Sequence, residues 1–503
     1  MHHMRQVGYA WIRERLEAPL VPVSCAARSG ATTRILETAD AILFPRKVAP
    51  DDNASLLAHT LFAIKHEGVN LAILSEALPK ILGAEIQEEL DRHPTSRFAR
   101  IAAMLWEHFT GATLMPTLSD KVPYVNLFDP ARYYTAEPGQ LHPRWRVRFN
   151  GLGGLDHCVT VRRTDAIQSI LDMDVFARME AFIASVGQDI LDRALNWAYL
   201  SETDSSFEIE REHATQDKSE RFVQLLRHAH ARRPLSEEYL TELQNDVITN
   251  PFDQAVQYRT EQNWLRRGGS GPASVTYVPP KPDDVPGLMQ ALENFANHPP
   301  ANVDPLIVAS VVSFWFVFIH PFMDGNGRLS RFLIHHALCR SGKMAKGFLL
   351  PVSVAIKRHE MDYLAALESF SKPVRALWRV RAMGDHTFDC QTSAGDTPYR
   401  YWDATPCVEF GVRMVKEALE HDLQAETRFL LGYDEVVRRV DAQFDIRNAD
   451  LATLVSSCFR EKGRVSNRWR KQLAERMQPA AFDAIEAAVR EVFFSDAPDG
   501  IAP

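Results

Sequence analysis

The sequence predicts a mainly α-helical protein: a central helical bundle with one β-hairpin, flanked by helical domains at the N- and C-terminal ends. Three observations carry this. Apolar side chains recur at helical spacing in residues 54–110 (Leu56, Leu57, Leu61, Ile64; Ile101, Met104, Leu105, Phe109) and again in 167–200. An apolar run at 306–319, interrupted only by Ser310 and Ser313, follows Asp304-Pro305, an N-cap residue and a first-turn proline. Glycine-rich turn chemistry at 268–272 leads into the β-prone Val275-Thr276-Tyr277-Val278, the pattern of a hairpin.

In chain order, residues 1–115 read as an N-terminal helical domain. Residues 116–185 read as an extended, ordered connector and helical lead-in, because prolines, glycines and aromatics such as Tyr133 and Tyr134 replace any long period there. The central domain spans 186–375. Within it the polar cluster 201–206 is expected to interrupt the first helix, with a short serine-capped helix following over Phe207-Glu208-Ile209-Glu210. The irregular polar stretch 384–403 reads as a linker, and 404–503 as a third helical domain.

The 503 residues are enough for about three domains at roughly 150 residues each. Hydrophobic residues at 46% and charged residues at 24% are an ordinary globular balance, which excludes overall disorder. A formal charge of −8 gives no global argument for binding nucleic acid or an anionic membrane. Six scattered cysteines lack zinc spacing and fit a reducing, cytoplasmic setting. The run at 306–319 is shorter than the roughly 20 residues a bilayer span needs, so no membrane association is expected. Tyr9-Ala10-Trp11-Ile12 is too short for the apolar part of a secretory signal.

The chemistry concentrates in 320–331, His-Pro-Phe-Met-Asp-Gly-Asn-Gly-Arg-Leu-Ser-Arg, between the apolar run and another amphipathic segment. Gly325 and Gly327 around Asn326 let the backbone turn tightly and aim N–H groups at an anion, where the next helix adds its positive end. Arg328 and Arg331, three residues apart, present two guanidinium groups on one helical face, which suits a polyphosphate. Asp324 offers a hard oxygen to Mg²⁺, and His320 is the remaining candidate base.

This segment resembles the Fic-family signature, in which His, an aromatic, an acidic residue, Gly-Asn-Gly-Arg and a final Arg recur. The resemblance implies a Fic helical bundle that transfers AMP from ATP to a Ser, Thr or Tyr hydroxyl of a protein. It implies His320 as general base, Asp324 as Mg²⁺ ligand, Phe322 as buried anchor, and Gly325, Asn326 and Gly327 as the anion hole. Asn326 counts with His320, Asp324, Arg328 and Arg331 among the catalytic set, and the two arginines would grip the β- and γ-phosphates. The death-on-curing toxins, which phosphorylate, carry alanine and lysine where this chain has Gly325 and Gly327, so the transfer of AMP is the expected branch.

Two further elements are implied. The hairpin is similar to the flap on which Fic proteins align a target segment by strand addition, with Gly269, Ser270, Gly271, Val275, Thr276 and Tyr277 as its residues. Ser206-Phe207-Glu208-Ile209-Glu210 matches the family's inhibitory helix, placed here at 201–213, whose glutamate pairs with the last signature arginine; position 211 departs from the family's Gly or Asn and is Arg. ATP and a protein substrate, with the chain itself among the candidates, are the implied partners. Homo-oligomerisation is left open. Two alternatives stand beside this reading: removal of AMP from a modified protein, with Glu210 placing a water, and nucleic-acid binding by a C-terminal winged-helix-like module through Arg460, Lys462, Arg464, Arg468, Arg470 and Lys471 around Trp469.

Overall fold

The computed structural model describes residues 4–494, apart from 18, 24, 39–40, 117, 120, 213–214, 249–253 and 385–386. Position 213, the end of the expected inhibitory segment, and 495–503 of the expected C-terminal domain lie outside the described residues. The fold is mainly helical, with strands confined to small sheets. No helix among the described residues is long and apolar enough to cross a membrane.

At its centre lies the helix Pro305–Ile319, apolar on every side and buried on nearly every side, as an all-round hydrophobic helix must be. Asp304 caps it by accepting the Leu306 amide, and Pro305 occupies its first position. The helix Asn326–Arg340 packs along it, and Val285–Asn297 and Thr405–Glu417 pack against its other faces. Together they form a core that includes Trp315, Phe316, Phe322, Phe332 and Met414.

Four expectations are corrected. The polar cluster at 201–206 does not break the helix: Gln188–Ile209 runs through it without interruption. Three of these polar residues are buried and have partners, since Thr203 Oγ1 donates to Tyr199 O, Glu202 meets His335 at 2.9 Å, and Ser206 faces Arg331. They are the inner stripe of one helix rather than turn residues.

The N-terminal region is not helical throughout. Strand Ala26–Gly30 pairs antiparallel with Arg5–Gln6 and parallel with Ala41–Pro45, which takes Leu36–Glu37 on its far side, ahead of the helices from Leu56–His66 to Arg97–Thr110. The expected connector is itself built into two small sheets, and Trp145, Val147 and Phe149 enter the N-terminal core.

The expected linker at 384–403 is also structured. Arg379–Gly384 and Thr387–Gln391 form a second hairpin, and Tyr401–Asp403 lies parallel to Cys158–Thr160 in register Tyr401↔Cys158. Tyr399, Tyr401 and Trp402 are buried, so aromatic packing outweighs the polar composition of the stretch.

Residues 405–423 belong to the central core, and the C-terminal core begins at Val436 on the helix Gln424–Asp441. That C-terminal unit contains no strand among the described residues, so it lacks the hairpin of a winged-helix module. Arg470, counted in the basic cluster, is turned onto Asp483 and Glu486 at 3.1 and 2.6 Å.

Candidate functional site

The chain leaves the buried helix at His320 in the left-handed conformation, φ 53° and ψ 59°, and re-enters a helix at Asn326. The loop between them is held carbonyl by carbonyl. Arg259 Nε donates to His320 O at 2.9 Å, the Arg259 amide to Pro321 O at 2.8 Å, Asn326 Nδ2 to Phe322 O at 2.8 Å, and Gln244 Nε2 to Asp324 O at 3.2 Å. Phe322 is buried, with its ring near Tyr258 and Phe316.

The Asn326 side chain shapes the loop. Its amide oxygen accepts the Phe322 N–H at 3.0 Å while its nitrogen serves Phe322 O, so both ends of the side chain are spent on shaping the loop. What it can offer an anion is its backbone N–H in the first turn of the helix.

Both glycines have a steric reason. Gly325 sits at φ 85° with Val247 Cγ2 3.2 Å from where a Cβ would stand. A Cβ on Gly327 would collide with the Glu210 carboxylate. A side-chain anion therefore rests against the backbone at 327, at the positive end of the helix Asn326–Arg340.

That same carboxylate lies 2.9 Å from Arg331 Nη2. Arg331 is itself buried, with Nε on Ser206 Oγ at 2.8 Å and Nη2 on Ser206 O at 2.7 Å. Ser206 and Glu210, one helical turn apart, thus meet a single guanidinium. Arg328 is as deeply buried; it stacks over the Phe207 ring, reaches Asp324 at 3.3 Å, and pairs with Glu212 at 2.9 Å.

Glu212 is not legible in the motif, and the backbone at 211 explains its position. Arg211 takes φ 60°, its amide donates to Glu208 O at 2.9 Å, and the Glu212 amide donates to Phe207 O at 3.0 Å. This pair of bonds around a left-handed residue is the Schellman ending of a helix, which glycine or asparagine favours. The turn carries Glu212 back over Arg328, so the departure at 211 keeps the helix end rather than losing it.

Behind these contacts, Glu202 lies one turn before Ser206 and His335 one turn after Arg331. Glu202 accepts from Ser353 N and Oγ, each at 2.6 Å, and joins His335 at 2.9 Å, all three being buried. The two helices are therefore zipped antiparallel through 202/335, 206/331 and 210/327.

His320 Nδ1 lies 3.2 Å from Val317 O, which holds the proton on Nδ1 and leaves the acceptor lone pair on Nε2. Burial lowers its pKa to about 4, so the ring is neutral near pH 7. Asp324 is part-exposed; one oxygen takes the Gly325 N–H at 2.6 Å. No cluster of three or more candidate metal ligands exists among the described residues.

The hairpin expected at 269–278 is present, with Leu265–Arg266 antiparallel to Val275–Tyr277. Its strand alternates, however: Val275 and Tyr277 are buried while Thr276 is exposed. Of the residues expected to meet a target, Val275 and Tyr277 instead fasten the hairpin to the core, Tyr277 by donating its hydroxyl to Phe318 O. Gly269, Gly271 and Thr276 remain outward, as does Ser270 at the tip.

The helical bundle thus brings together a histidine-led loop, a glycine-bounded helix start and two buried arginines. Residues 234–338 match the family model described as Fic/DOC family. The chain is similar to the protein adenylyltransferase Fic of Drosophila grimshawi, 43% identical over 67 residues, and to that of Drosophila mojavensis, 42% identical over 67 residues. These matches span 13% of this chain and 14% and 13% of the respective relatives, so the chain covers about a seventh of their length. Among solved structures it is similar to a Fic family protein from Desulfovibrio desulfuricans G20, at 18% identity and TM-score 0.40 over 64% of this chain and 87% of that one. A Fic domain containing signaling protein from Bacteroides thetaiotaomicron VPI-5482 matches at 16% identity and TM-score 0.37, over 52% of this chain and 97% of that one.

Proposed function

We propose that the chain is a protein adenylyltransferase held in a closed state by its own helix Gln188–Ile209. The observation that carries this reading is the Glu210 carboxylate, which rests against Gly327 and on Arg331 where a phosphate of ATP would lie. A carboxylate and a phosphate oxygen ask for the same donors, so Glu210 and the nucleotide tail compete.

With Glu210 withdrawn, the helix start at 325–327 and Arg328 and Arg331 would take the β- and γ-phosphates. The target hydroxyl then attacks the α-phosphorus in line. Its proton passes to His320 Nε2 as the new O–P bond forms, and the bond to pyrophosphate breaks. Catalysis is mainly positioning and charge neutralisation. Asp324 fits Mg²⁺ only together with the nucleotide, because this ion binds through one or two carboxylates plus phosphates and keeps its waters. When bound, the ion would neutralise charge on the phosphates. The exposed edge and tip of the hairpin would align an extended segment of the protein target.

Intact-mass spectrometry after incubation with Mg²⁺ and ATP tests the reading. Glu210→Gly should gain the mass of AMP, and Glu210→Gly with His320→Ala should not. No mass gain in Glu210→Gly with itself or added protein, together with no ATP uptake by calorimetry, would refute it.

A further inference from the structure

Arg259 is buried between the signature loop and the exit of the hairpin, and its hydrogen bonds run to backbone carbonyls. Its guanidinium donates to three of them: His320 O at 2.9 Å, Glu261 O at 3.0 Å and Pro280 O at 2.5 Å. Its amide donates to Pro321 O. A buried cation satisfied by carbonyls is a costly way to brace a loop, because desolvation of the charge is only partly offset. Neighbouring side chains add to the brace, since Gln262 Nε2 donates to Pro279 O at 3.1 Å and Asn263 Nδ2 to Phe322 O at 3.3 Å. Residues 259–263 therefore splint the loop that carries His320 to the Pro279-Pro280 segment that leaves the hairpin.

The position of the clamp is specific. His320 is left-handed, a conformation L-residues resist, and the carbonyl that Arg259 holds is that of His320 itself. We propose that Arg259 is a positioning residue for the transfer reaction: its guanidinium fixes the left-handed backbone of His320 against the hairpin exit, so that the imidazole and an aligned acceptor segment keep one register. This rests on the reading of His320 as the base.

The charge has a second effect. Three charged groups bear on the His320 ring: Arg259 favours its neutral form, while Glu210 and Asp324 favour the protonated one. Burial lowers the pKa of Arg259 only to about 10, so it remains a cation near pH 7.

The test uses the full chain in the Glu210→Gly background, comparing Arg259 with Arg259→Gln and Arg259→Lys. Auto-modification at saturating ATP should fall about tenfold or more in Arg259→Gln, with the half-saturating ATP concentration nearly unchanged, as expected for a misplaced base. Its acid limb should move to higher pH, whereas Arg259→Lys, which keeps the charge but loses the fork, should be slow with the limb in place. An Arg259→Gln enzyme with unchanged rate and unchanged acid limb would overturn the proposal. If that variant does not fold, Arg259→Lys decides: full activity with a single His320 Nδ1–H tautomer in ¹⁵N spectra overturns it, and a slow enzyme with mixed tautomers supports it. Should Glu210→Gly itself transfer nothing, the proposed function fails, and the His320 tautomer in parent and variant still decides the positioning role.

Discussion

Arg211→Gly should tighten the closed state. Arg211 occupies the left-handed position of the helix ending with its side chain exposed, so the substitution removes no packing. Left-handed backbone costs an L-residue about 1–2 kcal/mol, and glycine abolishes this cost. Against that stands the added freedom of glycine once the helix end is released, about 0.5–1 kcal/mol. The mid-range difference, about 0.75 kcal/mol in favour of the docked helix, corresponds to a roughly three- to four-fold lower fraction of released enzyme. The assay is the initial rate of auto-modification at saturating ATP, where Arg211→Gly should be slower than the parent by that factor. In the Glu210→Gly background the same substitution should change nothing, because the lock is already open. A rate that stays equal or rises in the parent background would refute the account of the helix ending.

Three further outcomes are expected. Glu212→Gln should raise basal auto-modification about fivefold, since a charged hydrogen bond to Arg328 is worth about 1.5–3 kcal/mol and a one-third exposed acid contributes about half of that; an unchanged rate would show that Glu210 acts alone. Glu202→Ala leaves His335 and the Ser353 amide without their buried partner and should lower unfolding stability by about 3–5 kcal/mol in a denaturant titration, a value under about 1 kcal/mol refuting the zipper. On the proposed mechanism the active form of His320 is the neutral ring, and burial holds its pKa at about 4 rather than 6.5. Lowering pH therefore leaves the base unprotonated through pH 6.5, and because Glu210 favours the protonated ring, the rate of Glu210→Gly should decline only as pH falls to about 4 or below; a midpoint near pH 6.5 would show the ring to be in water.

The parts readable from the chain are those whose cause is local. Asp304-Pro305 and an unbroken apolar run specify the buried helix because cap, first-turn proline and all-round hydrophobicity act within one element. Gly325 and Gly327 are legible as backbone requirements, and the glycine-rich approach to Val275 marks a hairpin. The polar stripe at 202–206 reads as a break because composition does not distinguish a helical serine that faces water from one that faces a buried arginine. The inward turn of the Asn326 side chain to Phe322 is hidden for the same reason.

Residue types and local periods are enough to specify a tight glycine-bounded turn into a helix. They are silent on what lies over it. Glu212 reaches Arg328 across 116 positions, Glu202 reaches His335 across 133, Arg259 reaches His320 across 61, and Tyr401–Asp403 finds Cys158–Thr160 by parallel pairing. Such contacts have no period to betray them. They arise when helices and strands formed elsewhere in the chain pack together, and burial then turns each unsatisfied charge or amide into a strong demand for the one partner within reach.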